Sequence, residues 1–210
     1  MKLLSRLLPL LALALTACAP ENTPHDDPPP DETQVPTTLV LTFTPEGGGD
    51  TLSFQWSDPE NDGAPIVDDI LLPDGSDHNH HDSQVYTLDV QVFNELDEDV
   101  TPEIADLDNE HLFFFTGSAV EGPATGNNAD AILEHAYADE DADGLPVGLS
   151  NTITTLDWGE EQLTVTLRHL PVEDDQSSKV DGLPDDVAAD GFDAIGGDNT
   201  IQVTFNVDVE

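Results

Sequence analysis

IQVTFNVDV, residues 201–209, is the stretch of sequence that decides the fold. Apolar and polar side chains alternate through it without interruption, from Ile201 to Val209. Because successive side chains of a β-strand point to opposite faces of a sheet, this alternation predicts a strand with one buried face. Other segments that predict strands, by the same alternation or by their β-branched and aromatic content, are 39–43, 52–56, 66–72, 86–92, 110–116, 131–138, 150–157 and 163–167.

The spacing of these segments predicts about eight or nine strands in one domain. Pro, Gly, Asp and Asn separate the segments, and no convincing amphipathic helix is predicted between them. We therefore predict an all-β fold, a single antiparallel β-sandwich of Ig-like or Greek-key type, with a barrel of about eight strands as the alternative. Residues 172–198 are rich in Asp and Gly and are predicted to form a long loop, either ordered by cations or mobile.

The N-terminus has the features of an export signal. Lys2 and Arg6 precede a short apolar run that ends at LTAC, residues 15–18, and Cys18 is the only cysteine. The run is too short for a transmembrane helix, which needs about 20 apolar residues. Its end resembles the lipobox of bacterial lipoproteins, and this resemblance implies cleavage before Cys18 and a lipid on the cysteine sulfur. Ala19, in place of the Asp that retains many lipoproteins at the inner membrane, favours the outer membrane.

These features divide the chain into three parts. We expect a lipoprotein signal peptide at 1–17, the lipidated Cys18 with a disordered Pro/Asp-rich tether at 18–36, and the β-sandwich domain at 37–210. The tether contains almost no apolar side chains that could be buried. The sequence therefore predicts a folded domain held at a membrane by a lipid and an extended linker.

Acidic residues dominate the charge, with 45 Asp and Glu against 4 Lys and Arg. All 45 acidic residues follow Cys18, whereas two of the basic residues lie in the predicted signal peptide, so the mature chain carries a formal charge of −43. Such a chain repels nucleic acids and anionic membrane surfaces. A nucleic-acid partner is therefore excluded, and a lipid is needed for membrane residence. Either a saline habitat or specific divalent-cation sites would explain the acidity.

Two acidic loops have the alternating carboxylates of a calcium site. Residues 139–144 (DEDADG) end in a glycine and resemble the first half of an EF-hand loop. Pro146 and Ser150 stand where an EF-hand carries an apolar residue and a bidentate glutamate, so an EF-hand is excluded and a calcium loop between strands remains. Residues 58–63 (DPENDG) repeat the pattern, and ordinary acidic turns are the alternative at both places. The candidate Ca²⁺ ligands are Asp58, Glu60, Asp62, Asp139, Asp141 and Asp143.

Histidines form a second group of candidate metal ligands. Three of them lie near the ends of predicted strands on apolar faces, where they could meet at one rim of the sandwich and bind Zn²⁺ or Cu²⁺. A loop at 77–82 (DHNHHD) combines three more imidazoles with carboxylates. The alternatives are histidines bonded to the backbone at the edge of the core and a solvated loop, respectively. The candidate transition-metal ligands are His111, His135 and His169 on the strands, and His78, His80 and His81 in the loop.

Three strings carry a family resemblance: EHLFFF at 110–115, YADEDADGLPVGL at 137–149, and LRHLP at 167–171. They resemble small acidic bacterial lipoproteins that are grouped as the type 1 periplasmic-binding-fold superfamily. The resemblance spans most of residues 37–210 and implies no activity. That family label implies two α/β lobes, whereas the periodicity in this chain predicts strands, and we follow the periodicity.

No catalytic motif appears in the sequence. It lacks a Gly-x-Ser-x-Gly elbow, a His-Glu-x-x-His motif, a phosphate-binding glycine loop and a free thiol nucleophile. We therefore expect a non-catalytic lipoprotein of the outer membrane, a cation-binding accessory or ligand-binding module that partners an envelope protein. The alternative is a Zn²⁺ or Cu²⁺ capture protein that partners an outer-membrane receptor, and an envelope hydrolase is the remaining class.

Overall fold

The computed structural model describes residues 35–61, 63–73, 82–173 and 176–210. Several sequence predictions fall outside these residues. They are the signal peptide, Cys18 and nearly all of the tether, together with Asp62, His78, His80 and His81. These predictions stay predictions.

Strands are the main secondary structure of the described chain and account for about half of its residues. Eight of them contain five or more residues, in agreement with the number expected from the alternation, and the others are short additions. The strands are β1 Pro36–Pro45, β2 Leu52–Ser57, β3 Ile66–Val67, β4 Ile70–Leu72, β5 Val85–Asn94, β6 His111–Thr116, β7 Val120–Glu121, β8 Leu133–Tyr137, β9 Ser150–Thr155, β10 Gly159–His169, β11 Val172–Glu173, β12 Gln176–Ser177 and β13 Asp198–Val209.

The long strands form two sheets. One has seven strands in the order β3-β2-β1-β5-β9-β8-β7, and the other has four in the order β4-β13-β10-β6. Pairing is antiparallel except at β13 with β4 and at β7 with β8, which are short parallel contacts. The fold is therefore an all-β sandwich, as the period of two predicted, with two parallel pairs that the local sequence did not indicate.

The core lies between the inner faces of the two sheets. Leu41 and Phe43 of β1 pack in the same apolar cluster as Val165 of β10 and Phe205 of β13, and all four are fully or almost fully buried. The outer face of the larger sheet carries hydroxyl side chains instead. Thr38 of β1, for example, hydrogen bonds across to Ser57 of β2 at 3.1 Å. The alternation along each strand therefore separates an apolar interior from a polar exterior.

The segment 172–198 differs from the predicted loop. It contains β11, β12 and helix α2 (Leu183–Asp190). The other α-helix of the described chain, α1 (Thr101–Asp106), lies between β5 and β6. Helix α2 packs against the outer face of β6, at one edge of the smaller sheet, where it forms a second apolar cluster. Sequence reasoning missed this helix because its apolar residues are few and its remaining surface is acidic. The cluster consists of Leu112, Phe114, Ala124, Leu170, Leu183, Val187 and Ile195.

Both helices are short. Within the described ranges, neither has the length and apolar character required to cross a membrane.

Candidate functional site

Asp139 begins the acidic loop that the sequence singled out. Its carboxylate accepts hydrogen bonds from the backbone N–H groups of Gly148 at 2.7 Å, Leu149 at 2.7 Å and Ser150 at 3.0 Å. Gly148 has a φ of +84°, and a Cβ at this position would lie 2.8 Å from Cβ of Phe113. Only glycine fits such a close approach in the left-handed region. Asp139 therefore organises the return of the chain into β9.

Asp141 lies deeper in the same loop and is buried. It accepts hydrogen bonds from the N–H groups of Asp143 and Leu145, both at 2.9 Å, and forms an ion pair with Lys179 at 2.8 Å. Burial alone would raise the pKa of Asp141. The hydrogen bonds and the positive charge of Lys179 outweigh burial and hold the pKa below its usual value. Asp143 itself is exposed.

Lys179 supplies the positive charge of this site. Its side chain is 1% exposed, and its Nζ also donates to the backbone carbonyl of Asp108 at 2.7 Å. Its backbone N–H donates to Oγ of Ser177, which in turn donates to the carbonyl of Asn109. The loop that resembled a calcium site thus folds around an ammonium group of the same chain.

The second acidic loop caps its own turn. Oδ2 of Asp58 accepts the N–H of Gly63 at 3.1 Å, and the carbonyl of Asp58 accepts the N–H of Asn61 at 2.9 Å. Glu60 is exposed. Across the described part of the chain, no group of three or more His, Cys, Asp or Glu side chains is arranged to hold a metal ion. Calcium at either loop stays a prediction.

His111 and His169 come together, as the sequence suggested. They are directly paired in the register of β6 and β10, and their ring centroids are 5.2 Å apart. Nδ1 of His111 bonds the carbonyl of Leu107 at 3.0 Å, and Nε2 of His169 lies 3.4 Å from a carboxylate oxygen of Glu110. Burial lowers the pKa of His111; the Leu107 carbonyl opposes the shift, and the neighbouring His169 adds to it.

His135 does not join this pair, because β8 belongs to the other sheet. Its ring packs 4.4 Å from that of Phe115 and 4.8 Å from that of Tyr137. Nε2 hydrogen bonds Oδ1 of Asn151 at 3.0 Å, and Nδ1 is buried without a hydrogen-bond partner. Burial lowers the pKa of His135 to about 4, so the ring is neutral near pH 7. The predicted three-histidine rim is therefore reduced to two histidines.

His135 leads to a pH prediction. Its pKa is 6.5 in an unfolded chain and about 4 in the folded one, so between these values only the unfolded chain binds the proton. The contribution of His135 to the free energy of unfolding is fully present above the unfolded pKa. It is lost as the pH falls toward the folded pKa, by about 3 kcal/mol in total. Urea unfolding of the wild type and of His135→Gln across this interval measures the effect. A stability difference between the two that does not change with pH would contradict it.

Arg168 is the second buried cation, and sequence reasoning gave it no role. Its guanidinium donates to the carbonyls of Gly196 at 2.6 Å and Ile195 at 3.0 Å, and to Oδ1 of Asn199 at 2.7 Å. It also lies over the ring of Phe192, 5.6 Å from the centroid. The only sequence signal was scarcity, since Arg168 and Lys179 are the two basic residues that follow Cys18.

The described part of the chain includes two cavities at different places on the domain. The larger is a surface groove of about 610 Å³ beside β10 and β13, which we call the β10–β13 groove. The smaller, of about 180 Å³, lies beside Lys179 and is below the range of about 300–1,000 Å³ that small-molecule sites occupy. The polar and charged residues that line the β10–β13 groove are Asp69, Ser118, Glu160, Glu161, Gln162, Asn206 and Asp208.

Comparison with protein-family models, curated proteins and solved structures found no match to this chain. The resemblance to small acidic bacterial lipoproteins therefore rests on the three strings quoted above. Any function has to be inferred from the charges, cavities and contacts of the molecule itself.

Proposed function

We propose that this protein is a non-catalytic, lipid-anchored accessory protein of the bacterial outer membrane, which presents an acidic β-sandwich that gathers cations or captures a ligand. The observation that carries the proposal is the burial of both basic residues of the mature chain. Arg168 and Lys179 expose only 7% and 3% of their surfaces. Histidines apart, the charged side chains on the surface of the described domain are therefore carboxylates.

This surface has two physical consequences. Its field concentrates cations around the domain and repels anionic lipids, so attachment to a membrane requires a covalent anchor such as a lipidated Cys18. Because a single acyl chain binds membranes only marginally, we expect more than one chain at the N-terminus. A partner protein in the envelope would have to present a neutral or basic surface.

Most cations are expected to gather diffusely around the domain, whereas calcium at either acidic loop stays a prediction. Asp139 and Asp141 already accept backbone N–H groups, and Asp141 is neutralised by Lys179. The exposed carboxylates, including Glu60 and Asp143, are spread over the surface and attract cations through their summed charge. Such accumulation weakens as the ionic strength rises.

A vesicle experiment tests this proposal. The lipidated chain is mixed with uncharged phosphatidylcholine vesicles, the vesicles are sedimented, and sedimented protein and calcium are both measured. We expect the wild type to carry calcium into the pellet at low salt, and a Cys18→Ser chain produced without residues 1–17 to leave both protein and calcium in the supernatant. The double variant Glu60→Gln, Asp143→Asn is the control and should retain nearly all the calcium. Sedimentation of Cys18→Ser with the vesicles would contradict the anchor.

A further inference from the structure

His111 and His169, which we call the histidine pair, lie at the rim of the sandwich, at the start of β6 and the end of β10. They are direct register partners, and their ring centroids are 5.2 Å apart with the rings inclined by 32°. Side chains directly opposite each other in an antiparallel strand pair project from the same face, with Cβ atoms about 4.5–5.5 Å apart. The pairing of two strands therefore holds the two imidazoles side by side.

Each imidazole has one nitrogen committed to an oxygen acceptor. Nδ1 of His111 lies 3.0 Å from the carbonyl of Leu107, and Nε2 of His169 lies 3.4 Å from a carboxylate oxygen of Glu110. Because a carbonyl and a carboxylate only accept, these two nitrogens carry the ring hydrogens. The lone pairs of the neutral rings then lie on Nε2 of His111 and Nδ1 of His169, which have no hydrogen-bond partner among the described residues. Histidines that bind metals use this arrangement, in which the other ring N–H donates to a carbonyl or carboxylate.

The surroundings of the histidine pair allow a cation to enter from solvent. The side chain of His169 is 44% exposed, and that of Glu110 is 26% exposed. Asp198 of β13 is the register partner of His169 on its other side and adds an exposed carboxylate to the same row. The ammonium group of Lys179 also acts on the pair, but it is already paired with Asp141 at 2.8 Å. The pair therefore combines access, two imidazoles and neighbouring negative charge.

We propose that the histidine pair binds one Cu²⁺ ion through Nε2 of His111 and Nδ1 of His169. Two imidazole nitrogens, with water oxygens in the remaining positions, match the tetragonal N,O coordination of Cu²⁺, which also binds such ligands more tightly than the other divalent first-row metals do. Zinc sites use three or four protein ligands, and the described residues offer no group of three. Calcium takes oxygen ligands. This inference goes beyond the proposed function, because binding at the pair requires neither a lipid anchor nor the summed surface charge.

Copper titration of the mature chain in detergent tests this inference. The background chain replaces with Asn the four histidines outside the described residues, which are His25, His78, His80 and His81. An excess of calcium occupies the surface carboxylates. We expect one Cu²⁺ per chain, with the electron paramagnetic resonance signature of two nitrogen ligands. His111→Ala and His169→Ala should each weaken binding by more than roughly a hundredfold and leave the signature of one nitrogen.

Two further variants serve as controls. His135→Gln removes the imidazole that lies in the other sheet and should bind copper as the background chain does. Glu110→Gln keeps an oxygen acceptor for Nε2 of His169 but removes its charge, and it should weaken binding roughly tenfold. The inference is overturned if no bound copper shows two nitrogen ligands, or if His111→Ala and His169→Ala bind copper as tightly as the background chain. Because this titration uses neither vesicles nor Cys18, its failure is distinct from failure of the proposed function.

Discussion

Replacing Lys179 with methionine should lower the free energy of unfolding by about 3–5 kcal/mol, because removing one partner of a buried ion pair leaves the other charge uncompensated. Methionine matches the apolar stem of lysine but cannot donate to Asp141 or to the carbonyl of Asp108. Both acceptors are then buried without their partner. Urea unfolding at constant salt measures the loss, and amide hydrogen exchange should show faster opening of the loop from Asp139 to Leu145.

Two controls separate the ion pair from other effects of this substitution. Gln91→Glu makes the same one-unit change in net charge on an exposed strand position, and it should alter stability by less than about 1 kcal/mol. The double variant Lys179→Met, Asp141→Leu removes both charges together and should recover much of the loss. If Gln91→Glu is as damaging as Lys179→Met, general repulsion and not the buried pair explains the result.

Arg168→Met should have the second large effect, a loss of about 2–4 kcal/mol. The guanidinium donates hydrogen bonds to the carbonyls of Gly196 and Ile195 and to the side chain of Asn199. Buried acceptors that lose a charged donor lower the free energy of unfolding, because no water replaces the lost hydrogen bond. Arg168→Lys should restore little of the stability, since a lysine cannot reproduce the planar fork that bonds several acceptors at once.

Hydrogen exchange gives this second prediction its own signature. Arg168 binds the chain between Phe192 and Asn199, so Arg168→Met should accelerate exchange there and leave the Asp139–Leu145 loop protected. Lys179→Met should give the reverse pattern. Identical patterns in the two variants would show that both act through global unfolding and that neither cation holds a particular segment.

Much of the fold could be predicted from the sequence because alternation is a local property. Phe205 and Val203 face the core as their positions in IQVTFNVDV require. The order of the strands could not be predicted in this way. Strand β4 pairs in parallel with β13, far along the chain, and residues 66–72 contain no signal of that partner. Helix α2 was missed because its burial depends on apolar residues of β6 that belong to a different part of the sequence.

The candidate site shows the same division. Sequence spacing drew attention to Asp139, Asp141 and His111, and all three make specific contacts in the structure. It did not indicate that Lys179 neutralises Asp141 or that His135 lies in the other sheet, because both facts depend on the packing of distant segments. The β10–β13 groove was also missed, since its polar residues occupy ordinary outward positions of strands.

By itself, the sequence determined the all-β class, the half-buried character of its strands and the great excess of negative charge. The physical reason is that alternation is read between neighbouring residues and that charge is a sum over the chain. Only the tertiary structure decided where the two basic residues that follow Cys18, Arg168 and Lys179, lie and what they hold. A buried ammonium or guanidinium is stable only where acceptors from several segments converge on it, and that convergence exists only in the folded molecule.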